Sequence, residues 1–405
     1  MRIAFLTHEP FFPPSGGGSA EAVYLVQEMI RRGHEVHLFC PALADPERVS
    51  REFRIHLHEF RRWKMGRYAR LRNFKYVLYP FFLQRMVARV SHSLKFDLLF
   101  AQHAIAAVAA GRLRRWLGTL TILNFLDYLT GFMETWPPYI APPPLVKRLT
   151  RFELSIPRRY AVDGVLTVSD TLADYFSRSG YPRERIQPIY YGYDAALFPY
   201  RGDAATLAAP QPPVVVMHGS LDHHHLRTIA LEAFQRVASA RADVRFRIVG
   251  HRTEALERFL QRATTFIAPE RIECPGFVAY ASVAEHLATA AVGVVPYEES
   301  TGTHCAFVAK IVEYLAIGLP VVSTALDSAQ RYFRAESRVR FTRFDGTEFA
   351  EAILKALEPV ESRDLQAARS ASERVRRELD WPVISHRALD FVDQLRSMKS
   401  GRTSP

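Results

Sequence analysis

The sequence predicts an α/β fold of two facing, doubly wound, Rossmann-like domains with a cleft between them, and three observations predict it. Short apolar strands alternate with amphipathic helical segments along most of the chain. That alternation falls into two series divided near residue 205, where residues 200–212 are rich in Gly, Ala, Asp, Pro and Gln. A length of 405 residues, with 48% hydrophobic and 23% charged content, suffices for two cores. The expected domains are 1–200 and 213–375. A helix over 376–396 is expected to return to the first domain, followed by a disordered tail over 397–405.

The first series opens on a strand over residues 3–7. With no long apolar stretch and no small-residue cleavage site before it, no signal peptide is expected. His8 to Ser19 carries Gly16-Gly17-Gly18, and a helix from about Ala20 to Arg32 buries Ala22, Leu25, Val26 and Met29. A strand, a glycine loop and a helix form a nucleotide- or phosphate-binding unit, since glycines let backbone N–H groups approach an anion at the helix start. The spacing lacks G-x-G-x-x-G, which argues against a nicotinamide enzyme.

Phe96 to Ala104 reads as a strand ending at His103, and the carboxyl ends of such strands face ligands. Thr121 to Tyr128 is the next strand. Trp136 to Pro144 is too rich in proline for regular structure and reads as an acceptor wall or a rigid connector. Arg151 to Tyr160 is helical, and Asp163 to Ser169 is a strand with a helix cap at Ser169.

Charge is unevenly placed. Of a net +11, residues Arg51 to Lys95 carry +10, with twelve Lys/Arg against Glu52 and Glu59. Within this stretch Arg61, Arg62, Trp63, Lys64, Arg67, Arg70, Arg72 and Lys75 interleave cations with aromatics. Such a patch suits an anionic membrane surface, with nucleic acid the less expected partner and a solvated helix face the plain alternative. No window approaches the ~18 apolar residues of a membrane span. Cys40, Cys274 and Cys305 are too far apart for a disulfide framework or a clustered metal site, so a reducing, cytoplasmic compartment is expected, at most at the inner face of a membrane.

The second series starts at Val214 to Ser220. Three consecutive histidines, His223 to His225, follow; adjacent residues on one backbone rarely converge on a metal, and none is expected there. Strands are read at 244–250, 272–278 and 292–296. Residues 302–324 are the most informative stretch. They read as a loop, a helix with Phe307, Ile311 and Leu315 on its apolar face, a C-cap at Gly318, a stop at Pro320, and a buried strand. Lys310 and Glu313 share one helix surface near its N-terminus.

The run Lys310-x-x-Glu313-Tyr314-Leu315-Ala316-x-Gly318-x-Pro320-Val321-Val322 resembles the donor-site signature of GT-B glycosyltransferases, especially the retaining family 4 (group 1) type. Pro13 to Val23, as Pro-x-Ser-Gly-Gly-x-x-x-x-x-Val, then Arg32 to Val36, resembles the opening of those enzymes, and Ile189 to Phe198 the run that closes their first domain. The resemblance implies a metal-independent hexosyltransferase of the GT-B fold, without cofactor. It would move a sugar from a nucleotide-diphosphate sugar to a glycan or lipid-linked acceptor with retention, in cell-envelope polysaccharide synthesis.

It also implies roles. Gly17, Gly18, Thr303 and His304 would offer N–H groups to the departing diphosphate, together with Lys310. Glu313 would hold the donor ribose, Phe277 would lie beside the base, and His103 would contact the sugar or the incoming hydroxyl. Asp127 stands near the place of a second histidine and would orient an acceptor hydroxyl. Gly219, Ser220, His225 and Arg227 fall in the diphosphate segment, where relatives carry an arginine and a lysine; Ser220 and His225 stand there instead. Gly302 and Cys305 complete the donor set, Cys305 in the place of a glutamate. Two alternatives follow from these departures and from the fold: a catalytically silent relative that binds glycan, membrane or a partner enzyme, and a nucleotide-sugar hydrolase or epimerase.

Overall fold

A computed structural model describes every residue except 15–16, 62–74, 137, 140, 202–211, 222–223, 359–361 and 402–405. The chain forms two compact units, Met1–Thr130 with Pro144–Tyr191 and Pro382–Pro405, and Gly131–Pro143 with Gly192–Trp381.

The first unit is built on a seven-stranded parallel sheet. Its strands are β1 (Arg2–Leu6), β2 (Glu35–Pro41), β3 (His56–Phe60), β4 (Leu98–Gln102), β5 (Leu120–Phe125), β6 (Gly164–Thr167) and β7 (Ile186–Pro188), in the order β3-β2-β1-β4-β5-β6-β7. The connecting helices are α1 (Gly17–Arg31), α2 (Pro46–Phe53), α3 (Lys75–Val90), α4 (His103–Leu117), α5 (Leu129–Phe132), α6 (Pro143–Arg159) and α7 (Asp170–Arg178). Strands β4, β5 and β6 are buried along their whole length, as expected where helices cover both sheet faces. Chain order reverses between β1 and β4.

The second unit repeats the plan with six parallel strands in the order β10-β9-β8-β11-β12-β13. These are β8 (Val214–His218), β9 (Arg245–Val249), β10 (Ile272–Gly276), β11 (Val292–Val295), β12 (Val321–Thr324) and β13 (Val339–Thr342). Its helices are α8 (Thr228–Ala240), α9 (Glu254–Ala263), α10 (Tyr280–Ala288), α11 (Thr301–Cys305), α12 (Ala309–Ile317), α13 (Asp327–Tyr332), α14 (Gly346–Ala356) and α15 (Ser362–Leu379). The last helix, α16 (Trp381–Gly401), carries the chain back into the first unit. Here the reversal lies between β8 and β11.

Several boundaries differ from those the sequence predicts. Residues 131–143 belong to the second unit, because they dock on α11. Glu134 accepts hydrogen bonds from Thr301 N (2.9 Å) and Thr301 Oγ1 (2.6 Å). Helix α6 starts at Pro143, eight residues before the predicted start, since a proline at the first helical positions removes only an N–H that has no partner anyway. The second unit begins at Gly192, ahead of the predicted linker, whose residues 202–211 lie outside the described ones. Tyr193 N donates to Leu379 O and Trp381 N donates to Tyr193 O, both at 3.0 Å, tying residues 192–193 to the end of α15. Residues 376–379 thus finish a second-unit helix, and the return begins at Pro382. Helix α16 continues through residues 397–401, predicted disordered, with Ser397 Oγ donating to Asp393 O (3.0 Å) and Lys399 Nζ to Gly118 O (3.2 Å).

Of the basic patch, Arg61 is exposed and Lys75 opens α3, while Arg62, Trp63, Lys64, Arg67, Arg70 and Arg72 lie outside the described residues. Among the described residues, no helix is long and apolar enough to cross a membrane.

Candidate active site

In the second unit the strand-order reversal brings the carboxyl ends of β8 and β11 side by side, the position where doubly wound sheets open a crevice. Beyond β8 the backbone turns through Gly219 at φ +116°, a conformation glycine holds without strain. The position is also crowded: a Cβ there would stand 2.5 Å from Lys310 Cε and 2.9 Å from Lys310 Nζ. Gly219 therefore lets the Lys310 ammonium rest directly on main chain.

Lys310 is the second residue of α12. Its Nζ donates to Tyr297 Oη (3.0 Å), just past β11, and to His225 Nε2 (3.3 Å), and it lies 5.4 Å from the Tyr297 ring centroid. An ammonium has only donors, so His225 Nε2 accepts and the ring proton sits on Nδ1. His225 is buried. Arg227, two residues on, is exposed at the N-cap of α8 and donates through Nη1 to Thr135 O (3.3 Å).

Glu313 lies one turn along α12 from Lys310 and is buried. His218 Nε2, at the end of β8, donates to Glu313 Oε2 at 2.5 Å, and Tyr280 Oη donates to Glu313 Oε1 at 3.0 Å. The other His218 nitrogen lies 3.0 Å from Tyr314 Oη. Each carboxylate oxygen has two acceptor directions, so Glu313 is held rigidly and each oxygen keeps room for one further donor.

The first unit carries a second polar cluster at its own reversal, between β1 and β4. His103 follows β4 directly and opens α4 at φ +66°, a sparsely populated conformation for a residue with a side chain. A Cβ on Gly18, in the first turn of α1, would lie 2.6 Å from both His103 Nε2 and Glu9 Oε2, so only glycine admits these two groups to the helix start. Beneath them Glu21 is fully buried. Its Oε2 accepts from Gln102 Nε2 (3.0 Å) and Asn124 Nδ2 (2.9 Å), and Gln102 also donates to Gly18 O (2.8 Å). Burial, with nearby Asp127 as a smaller contribution, pushes the Glu21 carboxyl up to about 8.

Comparison with known proteins decides the family. Residues 15–197 match the family model described as Glycosyltransferase Family 4, and residues 212–359 match that described as Glycosyl transferases group 1. The chain belongs to the GT-B glycosyltransferases. No curated protein sequence matches it. Among solved structures it is similar to sucrose-phosphate synthase from Thermosynechococcus elongatus (17% identity, TM-score 0.77, 98% of this chain and 99% of that one). It is likewise similar to Anabaena HepE in complex with UDP-glucose (18%, TM-score 0.72, 98% and 100%). A third is WaaG, a glycosyltransferase involved in lipopolysaccharide biosynthesis (15%, TM-score 0.68, 96% and 98%).

Within this GT-B chain the structure gathers Gly219, His225, Lys310 and Glu313 at one crevice of the second unit, with Ser220 next along the backbone from Gly219. It places His103, Gly18 and Gly17, the first residue of α1, at the reversal of the first unit, with Asp127 exposed beyond β5. Four predicted donor residues are turned to other tasks. Gly302 is a packing position: a Cβ there would meet the Phe132 backbone nitrogen at 2.3 Å. Thr303 N donates to Ser300 Oγ (3.0 Å) and His304 N to Ser300 O (3.0 Å), so Ser300 caps α11 and both amides are taken up within that helix. The predicted single helix is in fact two, α11 and α12, with residues 306–308 between them, which removes Thr303 and His304 from the start of the helix that carries Lys310. The His304 ring faces Asp327 Oδ1 (3.1 Å) and Glu299 Oε1 (3.5 Å), and Cys305 is fully buried. Phe277 is exposed and stacks on His251, ring centroids 4.1 Å apart.

Sequence reasoning missed Tyr297, Tyr280, His218 and Glu21. The first three carried no signal beyond standing at a strand end or in a helix; Glu21 lies one helical turn past the glycine loop, a signal that was there to be read.

Proposed function

We propose that the protein transfers a sugar from a nucleotide-diphosphate sugar to a glycan or lipid-linked acceptor, with retention and without a metal. The observation that carries this reading is Lys310, placed on the Gly219 main chain at the β8/β11 reversal and braced by Tyr297 and His225. In the reaction the bond between the sugar C1 and the diphosphate oxygen breaks and the diphosphate leaves with both electrons, while the acceptor oxygen bonds to C1 and passes its proton to the departing diphosphate. A fixed ammonium beside the departing oxygens stabilises that charge in the way a divalent ion would. The His225 Nδ1–H and the exposed Arg227 guanidinium stand in the segment where relatives carry an arginine and a lysine, and we assign them the same anion. Glu313, oriented by His218 and Tyr280, receives the ribose hydroxyls. Family membership and the UDP-glucose bound to HepE support a nucleotide-sugar as donor.

Acceptor recognition is assigned to the first unit, where His103 stands against Gly18 at the start of α1 and Asp127 lies exposed beyond β5, and where the basic stretch 51–95 suits an anionic membrane surface. The test is turnover of a sugar-nucleotide panel with glycan and lipid-linked acceptors, in the presence of EDTA, with the anomeric configuration of the product read by NMR. The expected result is acceptor-dependent transfer with retention that EDTA leaves intact. Nucleotide release without acceptor would favour a hydrolase or epimerase, and no turnover with any donor would favour a silent member of the family.

A further inference from the structure

The edge of the first-unit sheet carries a cluster of metal-ligating side chains outside the site described above. Parallel pairing of β2 and β3 puts His37 opposite His56 and Phe39 opposite His58. Glu35 and His37, two apart on β2, project to the same sheet face as these partners. The result is one carboxylate and three imidazoles on one face, at the amino ends of their strands and so at the opposite end from His103.

Their donor atoms converge. Glu35 Oε1 lies 3.0 Å from His37 Nε2 and 3.7 Å from His56 Nε2, and donor atoms of the three residues all fall within 4.8 Å of one another. Two ligands of a tetrahedral zinc, each bound at about 2.0 Å, stand roughly 3.3 Å apart, so these separations bracket what the ion requires. The two imidazole rings stack with centroids 4.4 Å apart and planes inclined by 21°. His37 is buried and orients the set, while Glu35 and His56 are exposed, which leaves a path for an ion and a fourth position for water. Outer contacts are in place as well. His58 Nε2 lies 3.0 Å from His37 Nδ1, so in the tautomer with the proton on Nδ1 and donated to His58, His37 Nε2 keeps a lone pair for a cation in place of its bond to Glu35. Arg2 Nε donates to Glu35 Oε2 at 2.9 Å, which fixes the carboxylate and leaves Oε1 as its single ligating oxygen.

We propose that Glu35, His37 and His56 form a binding site for a divalent first-row transition ion of the zinc class, with His58 as the residue that orients His37. Imidazole and carboxylate together suit such ions over calcium or magnesium, which take oxygen ligands. The site stands apart from glycosyl transfer, and it ties the edge strand β3 to its neighbour.

Zinc titration of the full chain at pH 7.5, by calorimetry and equilibrium dialysis, tests this, with cobalt(II) absorption as a reading of tetrahedral geometry. One equivalent of zinc per chain is expected. Affinity should fall at least tenfold in His56→Ala and in Glu35→Gln, both at exposed positions where folding is preserved by circular dichroism. A double variant His223→Ala with His224→Ala, which removes two of the three histidines in the other run, should bind zinc like the wild type. Less than one equivalent at saturation, unchanged affinity in His56→Ala, or loss of binding in the double variant would overturn the proposal.

Discussion

Lys310 Nζ lies 2.9 Å from the point where a Cβ at residue 219 would stand, so the ammonium and the Gly219 main chain occupy adjoining space that no side chain can share. Gly219→Ala should therefore push Lys310 out of place and strain a backbone at φ +116°. Stability should fall by about 1–3 kcal/mol in chemical denaturation. Transfer should fall further than stability does, with Lys310→Ala losing about 10²–10³-fold in kcat. Steady-state kinetics on both variants check this, and Gly219→Ala with wild-type kcat would contradict it.

The buried His218–Glu313 pair gives a different signature. Removing Glu313 leaves the buried His218 donor and the Tyr280 hydroxyl without their acceptor, at a cost of about 1–3 kcal/mol. Glu313→Ala should show that loss in urea unfolding, whereas Glu313→Gln, whose single amide oxygen keeps one of the two bonds from His218 and Tyr280, should lose less. Both should weaken nucleotide binding.

His103 sits at φ +66°, where asparagine is tolerated better than most residues. His103→Asn should lower stability by about 1 kcal/mol, leaving the fold intact, while lowering transfer. A variant with wild-type turnover would remove His103 from the reaction.

Glu21 supplies a pH dependence whose sign is fixed. Its folded value is about 8 against an ordinary 4.5, so between these limits the folded chain holds a proton that the unfolded chain has lost. Stability from this group is complete below pH 4.5, falls by about 1.4 kcal/mol per pH unit as pH rises, and levels off above 8. Glu21→Gln keeps a neutral side chain of the same shape. It should match wild type at pH 5, exceed it at pH 8.5, and flatten the profile measured by urea denaturation.

Much of this architecture is legible in the chain itself, since strand segments such as Val214–Met217 and Val292–Val295 are continuous apolar runs and Gly318 and Pro320 mark the end of α12. Lys310 and Glu313 are legible because three-residue spacing puts them on one helix face. What is not legible depends on contacts between distant segments. Gly302 reads as a donor-site residue, yet it is glycine because the Gly131–Phe132 backbone presses on it from 170 positions away in sequence. The same docking moves residues 131–143 into the second unit. Tyr280 and Tyr297 reach Glu313 and Lys310 only through strand order, which no local pattern records.

The most direct test is thermal unfolding with UDP-, GDP-, ADP- and CMP-linked sugars, wild type beside Lys310→Ala and Glu313→Gln. A ligand at 100 times its Kd adds about 2.7 kcal/mol, a clear shift of the midpoint. One nucleotide class should stabilise the wild type and fail to stabilise either variant. Stabilisation by none of the four, or an equal shift in both variants, would contradict a donor site at Gly219, Lys310 and Glu313.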